Sequence, residues 1–174
     1  MTSFVACIAE PRKKSYSVYM KMILCDFFVL MVLMSAPETM IRNAVAAACT
    51  PTEEDSLGPF YKPNAPARTS VGKGYVLHGV VRSSIDCRPV PGAIIELWLA
   101  GPDGEYDDAY RATIITDASA AYRFTSNLPP PYYGRPPHIH LRVSANGFMT
   151  LVTQHYPSDG KVSATFDIVL VPAK

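Results

Sequence analysis

The chain has 174 residues and a formal net charge of +1. That length fits one domain, and a net charge near zero argues against electrostatically driven binding of nucleic acid. Because 48% of the residues are hydrophobic and only 18% are charged, most of the chain is expected to fold. Sixteen prolines and ten tyrosines are more typical of a turn-rich β domain than of a helix bundle.

The first 48 residues differ in composition from the rest of the chain. Six of the seven methionines lie within the first 40 residues, and residues 22–36 carry a single charge, Asp26. This apolar run is too short for a transmembrane helix, but with three preceding lysines and the later Ala46-Ala47-Ala48 it suits a secretory signal. A buried N-terminal helix is the alternative. We predict an export signal or anchor at 1–48, a separate domain at 49–174, and a secreted or extracytoplasmic protein with no other membrane partner.

Short apolar stretches alternate with Pro, Gly, Asp and Asn throughout 49–174. Those rich in β-branched and aromatic residues lie at 75–82, 93–99, 110–116, 121–125, 138–145, 149–155 and 164–171. None of the segments shows helical periodicity over ten residues. The pattern predicts an all-β fold, an antiparallel β-sandwich of seven to eight short strands.

Two cysteines, Cys49 and Cys87, fall within the predicted domain. An even number of cysteines in an exported domain permits a disulfide. Two free thiols and lipid attachment at Cys49 are the alternatives, although the residues before Cys49 match a lipidation motif poorly. We therefore predict a Cys49–Cys87 disulfide.

The sharpest chemical feature is the pair His138 and His140, separated by one residue. On a strand, residues i and i+2 face the same side, so two such imidazoles can bind one metal ion. Arg135-Pro136-Pro137 directly precedes the pair, in a loop that also holds Tyr132 and Tyr133. Because prolines restrict the backbone of this loop, a metal site is favoured over a solvated histidine pair.

The remaining residues narrow the type of metal site. A cupin-type site needs a glutamate soon after the histidine pair, but no glutamate follows Glu105. No cysteine follows Cys87, which excludes a thiolate-rich zinc or iron–sulfur site. A site with two histidines and one carboxylate for iron(II) would need Asp159 or Asp167. Tyrosine is the plentiful remaining donor, and its phenolate suits iron(III).

Five segments in order resemble the intradiol ring-cleavage dioxygenases, the family of catechol 1,2-dioxygenase and protocatechuate 3,4-dioxygenase. The resemblance extends from about residue 49 to residue 172. The segments are 52–61 (TEEDSLGPFY), 89–98 (PVPGAIIELW) with 103–106 (DGEY), 116–117 (TD) with 121–124 (AYRF), 131–140 (PYYGRPPHIH), and 151–156 (LVTQHY).

For the metal site, the resemblance implies one non-haem iron(III) ion. The implied ligands are Tyr106, Tyr132, His138 and His140, and Tyr133 is the alternative to Tyr132. Three anionic ligands, the two phenolates and a hydroxide, would balance the charge of the ferric ion.

For the reaction, the resemblance implies a small aromatic diol and O2 as substrates. The ring would be cleaved between its two hydroxyl-bearing carbons to a muconate-type diacid, as in the catabolism of aromatic compounds. The implied catalytic residues are Arg135, which stabilises negative charge on the ring, Gln154, which holds Arg135 or the substrate, and Tyr132, which accepts a proton. Pro59 is expected to line the pocket with Arg135 and Gln154. Leu57 and Ala120 depart from the family pattern, so the particular catechol and the oligomeric state stay open.

Two other functions compete with this interpretation. Residues 79–98 also resemble transthyretin-like domains, which would make the protein a non-catalytic transthyretin-like or Ig-like sandwich binding module. Alternatively, a zinc hydrolase could use His138 and His140. The four implied ligands argue against a binding module, and visible absorption distinguishes ferric phenolate from colourless zinc phenolate.

Overall fold

The structure, a computed structural model, describes residues 48–131 and 133–174. Tyr132 and all of the predicted N-terminal segment except Ala48 therefore lie outside the described residues. The one helical segment in the described part is the 3-10 turn Asp108–Tyr110, which is too short to cross a membrane. The described residues form eight strands: β1 Tyr75–Ser83, β2 Ile94–Leu99, β3 Arg111–Ile115, β4 Ala121–Ser126, β5 Ile139–Ser144, β6 Leu151–His155, β7 Ser163–Thr165 and β8 Ile168–Leu170.

The strands form two sheets. In the first, β1 lies between β4 and the pair β7 and β8; the second has the order β3-β2-β5-β6. The second sheet is antiparallel throughout. The first is mixed, because β7 and β8 pair with β1 in parallel. The predicted β-sandwich is confirmed, although the parallel pairing of β7 and β8 makes the first sheet mixed rather than antiparallel.

The core lies between the two sheets and follows from the alternation of side chains along the strands. Along β1, every second residue from Tyr75 to Ser83 is buried. On the second sheet, the register pairs Ile95 with Val143 and Leu97 with Leu141. The largest completely enclosed side chains include Tyr75, Phe124, Leu77, Ile95, Leu97, Leu99, Ile139 and Leu141.

The last predicted strand, 164–171, is divided into β7 and β8 at Phe166 and Asp167. Val80 donates its backbone N–H to Asp167 Oδ1 at 2.9 Å, so a carboxylate replaces the usual carbonyl acceptor. A Cβ at Gly79 would lie 2.2 Å from the Phe166 carbonyl oxygen, which shows how closely the two backbones approach. The sequence pattern missed this interruption because it depends on a tertiary contact. The other six predicted strands are recovered with ends that differ by at most two residues.

The outer face of the second sheet is crossed by residues 53–66, which we call the strap. At the β6 edge, Asp55 donates its backbone N–H to the Val152 carbonyl at 2.9 Å. At the β3 edge, Thr113 Oγ1 donates to the Ala65 carbonyl at 2.8 Å. The strap therefore covers the sheet face that carries His140.

Cys49 and Cys87 form a disulfide in the structure, with Cα atoms 5.2 Å apart. The bond joins the start of the described domain to the turn after β1. Cys49 also donates its backbone N–H to the Ser84 carbonyl at 3.1 Å.

Candidate metal centre

The two histidines lie where β5 begins. His138 directly precedes the strand, and His140 pairs with Trp98 on β2 and Gln154 on β6. The indole of Trp98 stacks on the His140 imidazole, with centroids 4.9 Å apart and planes 4° apart. Both histidines are buried, and neighbouring Ile139 points into the core on the opposite face. The alternation of the strand thus places the two imidazoles together, as predicted.

Tyr106 comes from the loop after β2 and meets both histidines. Its Oη lies 3.1 Å from His138 Nε2 and 3.4 Å from His140 Nε2. The ring of Phe60, from the strap, stacks on Tyr106 with centroids 4.3 Å apart and planes 9° apart. Three donor atoms from two separate segments therefore converge on one point.

The protonation of the histidines suits metal binding. His138 Nδ1 donates to the Pro136 carbonyl at 2.8 Å, which leaves the lone pair of Nε2 facing Tyr106. Burial lowers the pKa of both imidazoles, and the charge of Arg135 adds to the lowering in each. For His140, burial, the neighbouring His138 and Arg135 together lower the pKa to about 4. Both rings are therefore neutral near pH 7, the state in which imidazole binds a metal.

The set of donors fits ferric iron. Within residues 48–131 and 133–174 there is no cluster of three His, Cys, Asp or Glu side chains able to hold a metal ion. Among the described residues, Tyr106 is in place to supply a third protein ligand, a phenolate, beside His138 and His140. Tyr132, the predicted fourth ligand, lies outside the described residues. Tyr133 is 90% exposed and so does not belong to the buried cluster.

Arg135 and Gln154, both predicted to be catalytic, are in direct contact. Arg135 Nη2 donates to Gln154 Oε1 at 2.8 Å and to Tyr156 Oη at 2.9 Å. Gln154 is buried, and its Nε2 donates to the Ser56 carbonyl at 2.6 Å. Because Gln154 pairs with His140 across β5 and β6, the guanidinium of Arg135 is held next to the histidine face.

Pro59 lies at the rim of the cluster. It is exposed, and it stands between Gly58, which packs against the His140 ring, and Phe60, which stacks on Tyr106. That Pro59 lines a substrate pocket stays a prediction.

The comparison with known proteins identifies the family. A family model described as Dioxygenase matches residues 61–172. The chain belongs to the intradiol ring-cleavage dioxygenase family. Residues 61–172 include Tyr106, Arg135, both histidines and Gln154, so the match spans most of the cluster.

Relatives of the chain are named as dioxygenases of aromatic diols. The chain is 30% identical over 137 residues to a chlorocatechol 1,2-dioxygenase of Pseudomonas sp. strain P51, covering 59% of this chain and 54% of the relative. It is 33% identical over 135 residues to a hydroxyquinol 1,2-dioxygenase of Rhodococcus opacus, covering 59% of this chain and 45% of the relative. The chain thus spans about half the length of these relatives.

A solved structure extends the likeness. The dioxygenase domain of a dioxygenase and carbohydrate-binding protein fusion from Streptomyces sp. SirexAA-E superposes with a TM-score of 0.63 and 29% identity. The alignment covers 71% of this chain and all of that domain. These matches favour the dioxygenase interpretation over a non-catalytic binding module.

Four further residues surround the cluster, and no sequence pattern assigned a role to any of them. Each makes its contact only when the strap lies on the outer face of the second sheet. They are Asp55, Gly58 and Phe60 from the strap and Tyr156 after β6. The one available signal was that all four lie in segments that resemble the family, 52–61 and 151–156.

Proposed function

We propose that the protein is a non-haem iron(III) dioxygenase that cleaves a catechol-type ring between its hydroxyl-bearing carbons and forms a muconate-type diacid. The convergence of Tyr106 Oη with the Nε2 atoms of His138 and His140 is the observation that carries this proposal. Family membership supports it, and the relatives compared above are named as dioxygenases of chlorocatechol and hydroxyquinol.

In this proposal Tyr106, Tyr132, His138 and His140 hold the iron. When bound, the ferric ion supplies Lewis-acid activation of a chelated diol toward O2. The chain keeps both imidazoles neutral by burial and orients His138 through the Pro136 carbonyl. Tyr132 is proposed to accept one of the two protons that the diol loses.

The remaining residues act on the substrate. Arg135 carries a permanent positive charge beside the histidines, which stabilises negative charge that develops on the deprotonated ring. Gln154 fixes the guanidinium. Pro59 is proposed to line the pocket that a planar diol enters.

Export of the protein, with residues 1–48 as the signal or anchor, is part of the same proposal. The Cys49–Cys87 disulfide supports it, because such bonds persist in oxidising compartments. Full-length protein expressed with its native N-terminus should be recovered outside the cytoplasm. Recovery of only cytoplasmic protein would contradict export.

The experiment that tests the activity uses the full chain loaded separately with iron(III) and with zinc. The iron form should be red to brown, should consume one O2 per ring, and should convert catechol to cis,cis-muconate. The zinc form should be colourless and inactive. A yellow semialdehyde product, which results from cleavage outside the diol, or hydrolase activity of the zinc form alone, would overturn the proposal.

A further inference from the structure

Two polar side chains beside the cluster, Asp55 and Tyr156, have no part in the reaction proposed above. Tyr156 Oη accepts a hydrogen bond from Arg135 Nη2 at 2.9 Å and donates one to Asp55 Oδ2 at 2.7 Å. A phenol has a single proton, and the charged carboxylate is the closer acceptor, since Gln154 Oε1 lies 3.2 Å away. The Tyr156 hydroxyl therefore links the guanidinium of Arg135 to the carboxylate of Asp55.

A second link joins Arg135 to the same part of the strap. Gln154 accepts from Arg135 through Oε1, while its Nε2 donates to the Ser56 carbonyl at 2.6 Å and approaches Asp55 Oδ1 at 3.4 Å. The contact with Ser56 fixes the orientation of the amide, so that Oε1 faces Arg135. Both hydrogen bonds of Arg135 Nη2 thus lead to adjacent strap residues.

These links hold one edge of the guanidinium and leave the rest open. Arg135 Nη2 has two hydrogens, and both are used. Nη1 and Nε make no hydrogen bond to the described residues. Although burial alone would raise the pKa of Asp55, the hydrogen bonds from Tyr156 and the Ser56 backbone and the charge of Arg135 together lower that pKa. The linked carboxylate is therefore ionised at neutral pH.

We propose that Asp55 and Tyr156 are positioning residues, which hold the guanidinium of Arg135 beside the metal ligands before substrate binds. This inference rests on the proposed function for its effect on catalysis. A long arginine side chain loses much conformational freedom when it is immobilised, and the Asp55–Tyr156 link imposes that loss in advance. Substrate binding then costs less free energy, because Arg135 is already ordered. The positive charge of the guanidinium is also in place when negative charge develops on the ring.

The catalytic test uses Tyr156→Phe, Asp55→Ala and Asp55→Asn in iron-loaded protein. We expect wild-type iron content and an unchanged tyrosinate absorption band, because none of the metal donors is altered. With Tyr156→Phe and Asp55→Ala, kcat/KM for catechol should fall about 10- to 100-fold, mainly through kcat. Asp55→Asn keeps an oxygen acceptor and should recover part of the loss. Asp86→Asn, which removes a carboxylate paired with Arg88 away from the cluster, is the control and should behave as wild type.

Since Asp55 and Tyr156 act through one contact, the double variant should be no slower than the slower single variant. Wild-type kcat/KM in Tyr156→Phe and Asp55→Ala, or losses that multiply in the double variant, would overturn the positioning role.

A second measurement requires neither iron nor turnover. In metal-free, 15N-arginine-labelled full-length protein, restricted rotation should give Arg135 separate, slowly exchanging Nη signals, assigned by their absence in Arg135→Lys. Tyr156→Phe should collapse these signals, and Asp86→Asn should not. Unchanged Arg135 signals in Tyr156→Phe would overturn the inference. If wild-type protein binds no iron and cleaves no catechol, the proposed function fails, and these spectra still decide whether the link holds Arg135.

Discussion

Gly58 lies against the imidazole of His140. A Cβ at position 58 would stand 3.0 Å from His140 Cε1 and 3.5 Å from Nε2, and the φ of Gly58 is +70°, where side chains are disfavoured. The strap can therefore pass this close to a predicted metal ligand only because residue 58 is a glycine.

We predict that Gly58→Ala weakens iron binding about tenfold or more, because the added methyl displaces His140. It should also lower the free energy of unfolding by about 1–2 kcal/mol through backbone strain. Gly92→Ala is the matched control, with a φ of +71° and no atom within 4 Å of the added Cβ. Titration of both variants with iron and their denaturant unfolding check this. Equal iron affinity in the two variants would contradict the role of the contact.

Tyr106→Phe should lose the phenolate shared by the two histidines, while the stacking on Phe60 is kept. We expect iron affinity to fall by more than about tenfold and the visible band of the iron form to weaken and shift. Tyr110→Phe, on the 3-10 turn close by, serves as the control. Metal analysis and visible spectra decide the outcome, and a wild-type spectrum for Tyr106→Phe would exclude it as a ligand.

Arg135→Ala should retain iron and colour but lose most turnover. Removing a charge that stabilises a developing anion costs about 10²- to 10³-fold in kcat. Arg135→Lys keeps the charge but lacks the planar fork, so it should recover only a small part. The exposed Arg88→Ala is the control. Wild-type turnover in Arg135→Ala would show that Arg135 has only a structural role.

The Cys49–Cys87 disulfide should be present in exported protein and should stabilise the fold. Its loop spans a sequence separation of 38 residues, and the chain-entropy estimate for such a loop is roughly 3–4 kcal/mol. Mass spectrometry of unreduced, alkylated peptides should recover the two cysteines joined, and Cys87→Ser should lower the free energy of unfolding. Two alkylated cysteines, or a diacylglyceryl mass on Cys49, would rule the bond out.

His155 should make the fold sensitive to acid. It faces the core, where its Nε2 lies 2.7 Å from Tyr75 Oη, and burial lowers its pKa to about 4. In the unfolded chain a histidine has a pKa of about 6.5, so below that pH the unfolded state binds a proton that the folded state does not.

The free energy of unfolding should therefore fall as the pH drops from about 6.5 toward 4. The decrease should be less than about 3 kcal/mol, because solvent screens the partly exposed ring of His155. Denaturant unfolding at several pH values, compared with His155→Gln, measures this. Identical pH profiles for wild type and His155→Gln would contradict the assignment.

The sequence predicted most of the fold because local patterns determine it. Alternation and turn residues located the strands, and the spacing of His138 and His140 placed both on one face. The split at Asp167 was missed because its cause is a backbone donor on β1, far away in the chain. Asp55 and Tyr156 were missed for the same reason, since only the folded strap brings them to Arg135. The role of Tyr132 stays a prediction.

The parallel pairing of β1 with β7 and β8 has a consequence for how the chain acquires its structure. The bond from Val80 to Asp167 closes a separation of 87 residues, and no hairpin can form it early. One edge of β1 thus stays unpaired until the C-terminal residues are available to pair with it. Because this pairing joins residues that are far apart in the chain, it makes folding slow. A chain still emerging from a ribosome or a translocation channel keeps this sheet incomplete, and such an open edge attracts other strands. Truncation just before β7 should therefore yield aggregates rather than a smaller folded protein.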